Sequence, residues 1–222
     1  MALPGALILD FDGVLVDSEQ AGNQLLADLL TELGHPTSIE DTYDHYVGLA
    51  GRDFLHAVER RIGGRLPPDF VDRRRAQGQA LLAGGVAEVP GAREFVRSLP
   101  ADLPKALASS SSTRWMQGHL AHLGLVESFV PHLYSGHEHV ERGKPEPDLY
   151  LYAADQLGVP IADCVIIEDS PIGVRGALAS GARVIGFCGG THCRANHGDL
   201  LRAEGVRHIA RDFAEVRSLL GL

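Results

Sequence analysis

Three patterns predict an α/β fold, a Rossmann-like parallel sheet carrying an inserted all-helical cap domain. The first is a set of short, continuous apolar runs: Ala6-Leu7-Ile8-Leu9, Lys105 to Ala108, Cys164 to Ile167 and Arg183 to Phe187. A run without alternation suits a strand covered on both faces, as in a parallel sheet. The second is the amphipathic helical stretches between the last three runs, clearest at 148–156 and 171–180, as alternating β and α units require. The third is a block from Asp17 to about Gly85 with helical spacing and no strand character. Leu25, Leu26, Leu29 and Leu30 recur at helical intervals, and Phe54, Val58 and Ile62 make one face. Ser38-Ile39-Glu40-Asp41 reads as a capping box opening a further helix. Gly84-Gly85 and Pro90-Gly91 mark the return to the sheet. The expected division is therefore a core of residues 1–16 and 87–222 and a helical insertion of residues 17–86.

Composition limits the partners. The chain has 222 residues, which fits one domain with an insertion. It is 45% hydrophobic, too apolar for a disordered chain. The net charge of −9 is poorly suited to coating a phosphate backbone, so no nucleic-acid partner is expected. A small anion is still compatible, because one metal and one lysine reverse a local field. Cys164, Cys188 and Cys193 are few and odd in number, as in a reducing compartment. Asp10 and Asp12 interrupt the only apolar run near Met1, and no run is long enough to span a bilayer. The expectation is a soluble, cytoplasmic monomer or weak homodimer with no membrane partner.

The chemistry gathers at strand ends. Asp10 and Asp12 follow the first apolar run, and Gly13 then lets the backbone turn. Glu168 and Asp169 follow Val165-Ile166-Ile167 in the same way, with Ser170 able to cap a helix and Pro171 to open it. In open α/β sheets ligands bind beyond the carboxyl ends of the strands. Crowded carboxylates repel, and a hard dication such as magnesium resolves that conflict. Lys105 to Ala108 ends in Ser109-Ser110-Ser111-Ser112-Thr113, hydroxyls and amides that suit a phosphate cradle or a plain helix cap. Lys144 stands between Gly143 and Pro145 in a stiff loop, where it could neutralise an anion.

In order, D-F-D-G-V-L-V-D-S-E, the strand-end serine, G-K-P-x-P-D and E-D-S-x-x-G resemble the haloacid dehalogenase superfamily over nearly the whole chain. The chain looks like the branch that holds β-phosphoglucomutase and small sugar-phosphate phosphatases, 6-phosphogluconate-like ones among them. That resemblance implies a Mg2+-dependent phosphatase of small phosphorylated metabolites with a helical cap. It implies Asp10 as nucleophile, Asp12 as general acid and base, and Ser109 with the Ser110 amide as phosphate cradle. Lys144 would stabilise the nucleophile and the transferring phosphoryl group. The metal would be held by Asp10, Asp12 through its backbone carbonyl, Glu168 and Asp169. Asp12 favours phosphoryl transfer over dehalogenation, whose enzymes lack an aspartate there. The only lysines are Lys105 and Lys144, so a Schiff-base lysine in the cap is missing. Mutase-like chains carry a cap histidine where this chain has Gly22, and Arg52 falls one place later than their arginine. Both departures favour a phosphatase over a phosphosugar mutase. Gly48 and Arg52 in the cap are the expected substrate readers, with Arg73 to Arg75 weaker choices. The rival of another class is a non-catalytic metabolite-binding or signalling module.

Three features invite other readings. Cys188, His192, Cys193 and His197 could in principle hold zinc, but their spacing matches no closed zinc pattern, and a loop bordering the site is expected. His132, His137 and His139 read as surface residues. Trp115 reads as packing.

Overall fold

The computed structural model describes residues 3–46 and 51–222. The chain divides into two compact units, Met1–Asp17 with Gly85–Leu222, and Ser18–Gly84. In chain order, β1 (Ala6–Leu9) precedes the helices α1 (Ser18–Glu32), α2 (Ile39–Tyr46), α3 (Gly51–Ile62) and α4 (Phe70–Gly84). There follow α5 (Ala92–Ser98), β2 (Lys105–Ser109), α6 (Thr113–Leu123), α7 (Val126–Phe129), β3 (Leu133–Ser135) and α8 (Asp148–Leu157). The chain ends with β4 (Cys164–Glu168), α9 (Pro171–Ala179), β5 (Arg183–Phe187), α10 (His197–Ala203), β6 (His208–Ala210) and α11 (Phe213–Leu220).

The strands form one sheet in the order β3-β2-β1-β4-β5-β6, with every neighbouring pair parallel. Ile8 lies between Ala106 and Ile166 in register. The apolar runs read from the sequence supply β1, β2, β4 and β5. The edge strands β3 and β6 lie outside these runs. Each has three residues, too short to carry a periodic signal.

The order of the strands decides where a ligand can sit. From β1 the chain moves outward to β2, and from β4 it moves outward to β5 on the other side. The crevice between β1 and β4 at their carboxyl ends is thus the topological switch point. Both strands are buried along their length, as central parallel strands must be. Under them, Leu149, Tyr150 and Ala153 of α8 and Val174 and Ala177 of α9 pack on Ala6, Ile8, Ala106, Ala108, Cys164 and Ile166.

The helical unit has its own core, built from Leu26, Leu29, Leu30, Tyr46, Val58 and Phe70, with Phe54 and Ile62 packed against it. Its capping box is reciprocal. The Asp41 amide donates to Ser38 Oγ (3.1 Å), and the Ser38 amide donates to Asp41 Oδ2 (3.0 Å). Arg52 is exposed in the first turn of α3. Gly48 lies outside the described residues. Arg73 and Arg75 form surface ion pairs with Glu32 and Asp72, and Arg74 reaches the Gly22 carbonyl and Gln77. Among the described residues no helix is long and apolar enough to cross a membrane.

Ile8 is fully buried at the centre of the sheet. Ile8→Ala should lower stability by about 2–5 kcal/mol, read as a fall in the urea midpoint. A loss below roughly 0.5 kcal/mol would place the core elsewhere.

Candidate active site

Asp10 begins where β1 ends. Its amide still donates to the Ile167 carbonyl (2.9 Å), so its side chain is held in register beside β4. The chain then turns tightly, with the Gly13 amide donating to Val16 O and the Leu15 amide to Phe11 O, both at 2.8 Å. Gly13 has φ +77°, and a Cβ there would fall on the Asp169 carboxylate. Only glycine allows the turn and the close approach together. Asp10 and Asp169 are both buried.

One lysine ties the two strand ends together. Lys144 Nζ donates to Asp10 Oδ1 (2.7 Å) and to Glu168 Oε2 (2.9 Å), and its side chain is only 4% exposed. The Tyr150 hydroxyl donates to the same Glu168 oxygen (3.1 Å), while the Tyr150 ring lies 5.4 Å from Nζ. The other Glu168 oxygen accepts from the Ser170 amide (3.0 Å) and hydroxyl (2.6 Å). Glu168 therefore spends its acceptor capacity on fixing the lysine and the start of α9. A Cβ at Gly173 would fall on that carboxylate, so the small residue makes its room. The lysine loop is braced from outside by Arg142, whose Nε and Nη2 grip Asp148 at 3.0 and 2.8 Å.

The electrostatics are unequal. Burial opposes the charge on Lys144, but Asp10 and Glu168 outweigh it and hold the ammonium well above the ordinary lysine value. Burial would also raise Glu168, but Lys144 and Ser170 outweigh that and keep it below its ordinary value. Asp10 bears the surplus. Burial and then the Glu168 charge push its carboxyl well above the usual range, against the pull of Lys144. Oxygens of Asp10, Glu168 and Asp169 all lie within 4.8 Å of one another. Three buried carboxylates against one ammonium form an oxygen-rich pocket with excess negative charge, which fits a hard dication.

Asp12 is gripped by the other side of the sheet. Its Oδ2 accepts from Ser111 Oγ (2.6 Å) and Ser109 Oγ (3.2 Å), and its Oδ1 accepts from Trp115 Nε1 (3.0 Å). Ser109 is buried at the end of β2, and Ser110 is exposed next to it. Ser112 caps α6 through the Trp115 amide. Trp115 thus does more than pack, contrary to the sequence reading. One turn into α6 its indole reaches back across to the β1 loop, and fully buried His119 supports it edge-on with ring centroids 4.2 Å apart.

Asp169 has partners that the sequence reading did not assign. His192 Nε2 lies 2.8 Å from its Oδ2, and His197 Nε2 lies 2.6 Å from its carbonyl oxygen. The loop after β5 therefore does border the acidic pocket. His137 is exposed, but His132 and His139 are half-buried, and His139 Nδ1 accepts from the Ser135 amide (3.1 Å). Asp10, Asp12, Ser109, Lys144, Glu168 and Asp169 come together at one edge of the sheet.

A family model described as haloacid dehalogenase-like hydrolase matches residues 4–181. The chain is 26% identical over 188 residues to the 6-phosphogluconate phosphatase of Escherichia coli K12, covering 84% of each chain. It is 30% identical over 181 residues to hexitol phosphatase A of the same organism, covering 80% of each. It also superposes on a haloacid dehalogenase-family hydrolase from Deinococcus radiodurans R1 solved with bound phosphate and sodium. The TM-score is 0.87 at 32% identity, over 100% of this chain and 96% of that one.

Lys144→Met should cost about 3–5 kcal/mol near neutral pH, because it leaves buried carboxylates uncompensated. The folded-state value of Lys144 is raised, so its stabilisation is full at neutral pH and is lost as pH climbs past the ordinary lysine range. The gap between wild type and variant in urea unfolding should therefore narrow at strongly alkaline pH. A gap that stays constant there would show that Lys144 is not the stabilising charge.

Proposed function

The chain belongs to the haloacid dehalogenase-like hydrolases, and on that premise we propose that it is a magnesium-dependent phosphatase of small phosphorylated metabolites, sugar phosphates or phosphorylated sugar acids, acting through an aspartyl phosphate on Asp10. The observation that carries this reading is the buried Lys144 bridging Asp10 and Glu168, with Asp12 two residues along and aimed into the same edge. That edge can present a carboxylate nucleophile, a second carboxyl group for proton transfer and a fixed positive charge. The names of the relatives support the substrate class.

The proposed reaction has two displacements. A carboxylate oxygen of Asp10 attacks phosphorus, the bond from phosphorus to the sugar oxygen breaks, and Asp12 gives that oxygen its proton. Water then attacks the aspartyl phosphate, Asp12 takes the proton back, and inorganic phosphate leaves with Asp10 restored. Asp10 and Asp169 would hold Mg2+ through carboxylate oxygens and Asp12 through its carbonyl, with Glu168, whose oxygens are occupied by donors, adding negative charge beside them. The bound ion supplies positive charge against the phosphoryl oxygens. Ser109 Oγ and the Ser110 amide, at the end of β2, would donate to phosphoryl oxygens, Ser109 giving up its bond to Asp12 to do so. Lys144 opposes the burial that favours neutral Asp10 and holds its carboxyl group in place during attack. Trp115 and Ser111 hold the Asp12 carboxyl group so that it can face both the leaving oxygen and the incoming water.

The test is phosphate release from a panel of sugar phosphates and phosphorylated sugar acids, with Mg2+ and with EDTA. Release should require Mg2+ and fall at least about 10³-fold in Asp10→Asn, on the scale of a lost nucleophile. Conversion of β-glucose 1-phosphate to glucose 6-phosphate without net release would replace this reading with a mutase. Binding of the panel without turnover would replace it with a binding module.

Trp115→Phe keeps the ring against His119 and removes the N–H to Asp12. It should lower kcat about tenfold with KM little changed, as expected for one hydrogen bond to a charged group. An unchanged kcat would mean that the indole only packs.

A further inference from the structure

The loop after β5 gathers a second set of donors beside the acidic pocket, and they are of a different kind. A nitrogen of His192, the sulfur of Cys193 and a nitrogen of His197 lie within 4.8 Å of one another. His192 Nε2 is 3.4 Å from Cys193 Sγ. A tetrahedral zinc ion, with Zn–N about 2.0–2.1 Å and Zn–S about 2.3 Å, holds its nitrogen and sulfur ligands roughly 3.5 Å apart. Asp169 Oδ2 lies 2.8 Å from His192 Nε2, so a carboxylate stands beside the set and touches it through His192. Two imidazoles and a thiol form a set that selects a borderline-soft ion over magnesium, and the neighbouring carboxylate can swing in to complete it.

The loop is fixed by hydrogen bonds within it and to β6 and Asp17. The Cys188 amide donates to the Ala210 carbonyl (2.8 Å), the Cys193 amide to the Gly190 carbonyl (3.0 Å) and the His197 amide to the Arg194 carbonyl (2.9 Å). The Thr191 amide donates to Asp17 Oδ1 (3.2 Å). His192, Cys193 and His197 are each half-buried, so an ion can reach them from solvent.

We propose that His192, Cys193 and His197 form a binding site for a borderline-soft divalent cation of the zinc type, which takes Asp169 as its fourth ligand and thereby competes with the hard-cation site. On binding, Cys193 releases its proton to solvent and ligates as thiolate. The two imidazoles ligate as neutral rings, and His192 exchanges its contact with Asp169 for the ion. Asp169 then serves the soft ion rather than the pocket it shares with Asp10. The site stands on this geometry alone. Its inhibitory consequence rests on the phosphatase reading.

The test uses the full chain at saturating Mg2+, with Co2+ as the spectroscopic probe and Zn2+ titrated against a chromophoric chelator. Wild type should show a thiolate-to-Co2+ charge-transfer band and intense visible bands of a tetrahedral centre. Cys188→Ser should keep both, whereas Cys193→Ser, with its fold checked by circular dichroism, should lose the charge-transfer band and bind Zn2+ at least tenfold more weakly. No thiolate band in wild type, or equal Zn2+ affinity in wild type and Cys193→Ser, would overturn the site. The competition is read separately, as the ratio of phosphate release without and with Zn2+. That ratio should be at least fivefold larger for wild type than for Cys193→Ser, and equal ratios would overturn the competition while the spectra decide the site.

Discussion

A single buried ammonium organises the edge of this sheet. Lys144 is almost fully removed from water, and a charge in that position persists only when paired and hydrogen-bonded. Asp10 and Glu168 meet that demand from two different strands. The requirement then spreads outward. Glu168 can serve only if Ser170 and Tyr150 occupy its other acceptor positions and Gly173 leaves it space. The lysine loop can reach only because Gly176 lets the carbonyls of Pro145 and Glu146 lie against α9, where a Cβ would come within 2.9 Å of both. The cap at Ser170 and the glycines at 173 and 176 therefore share one physical cause.

The same arrangement separates three jobs among four acidic side chains. Glu168 is saturated by donors and behaves as a fixed anchor. Asp10 and Asp169 remain as the crowded oxygen donors, with Asp10 carrying the electrostatic surplus. Asp12 is set apart by two residues of chain and held by a separate group of donors from the β2–α6 side. Identical functional groups acquire different chemistry through the partners that each one meets.

Much of this was legible in the sequence, for physical reasons that differ by element. Fully buried strands must be apolar throughout, so β1, β2, β4 and β5 announce themselves as continuous runs. The caps at Ser38 and Ser170 follow from local rules, since the donor and acceptor are three residues apart. The acidic pairs and Lys144 stand out because glycine and proline punctuate them. The edge strands β3 and β6 were illegible, because three residues hold no period. The indole of Trp115 binding Asp12 could not be read either, since the two are 103 positions apart and no local pattern links them. His192, Cys193 and His197 were visible as residue types, but their convergence on one another, and that of the two histidines on Asp169, depends on how the β5–α10 loop folds back.

The account rests on Asp10 as the atom that accepts the phosphoryl group. The most direct measurement is a single turnover with a ³²P-labelled sugar phosphate, quenched in acid within milliseconds and followed by peptide mapping. The account predicts transient label on the peptide that contains Asp10, formed before free phosphate and absent from Asp10→Asn. Phosphate release at the full rate with no protein-bound label, or label mapped to another residue, would contradict it.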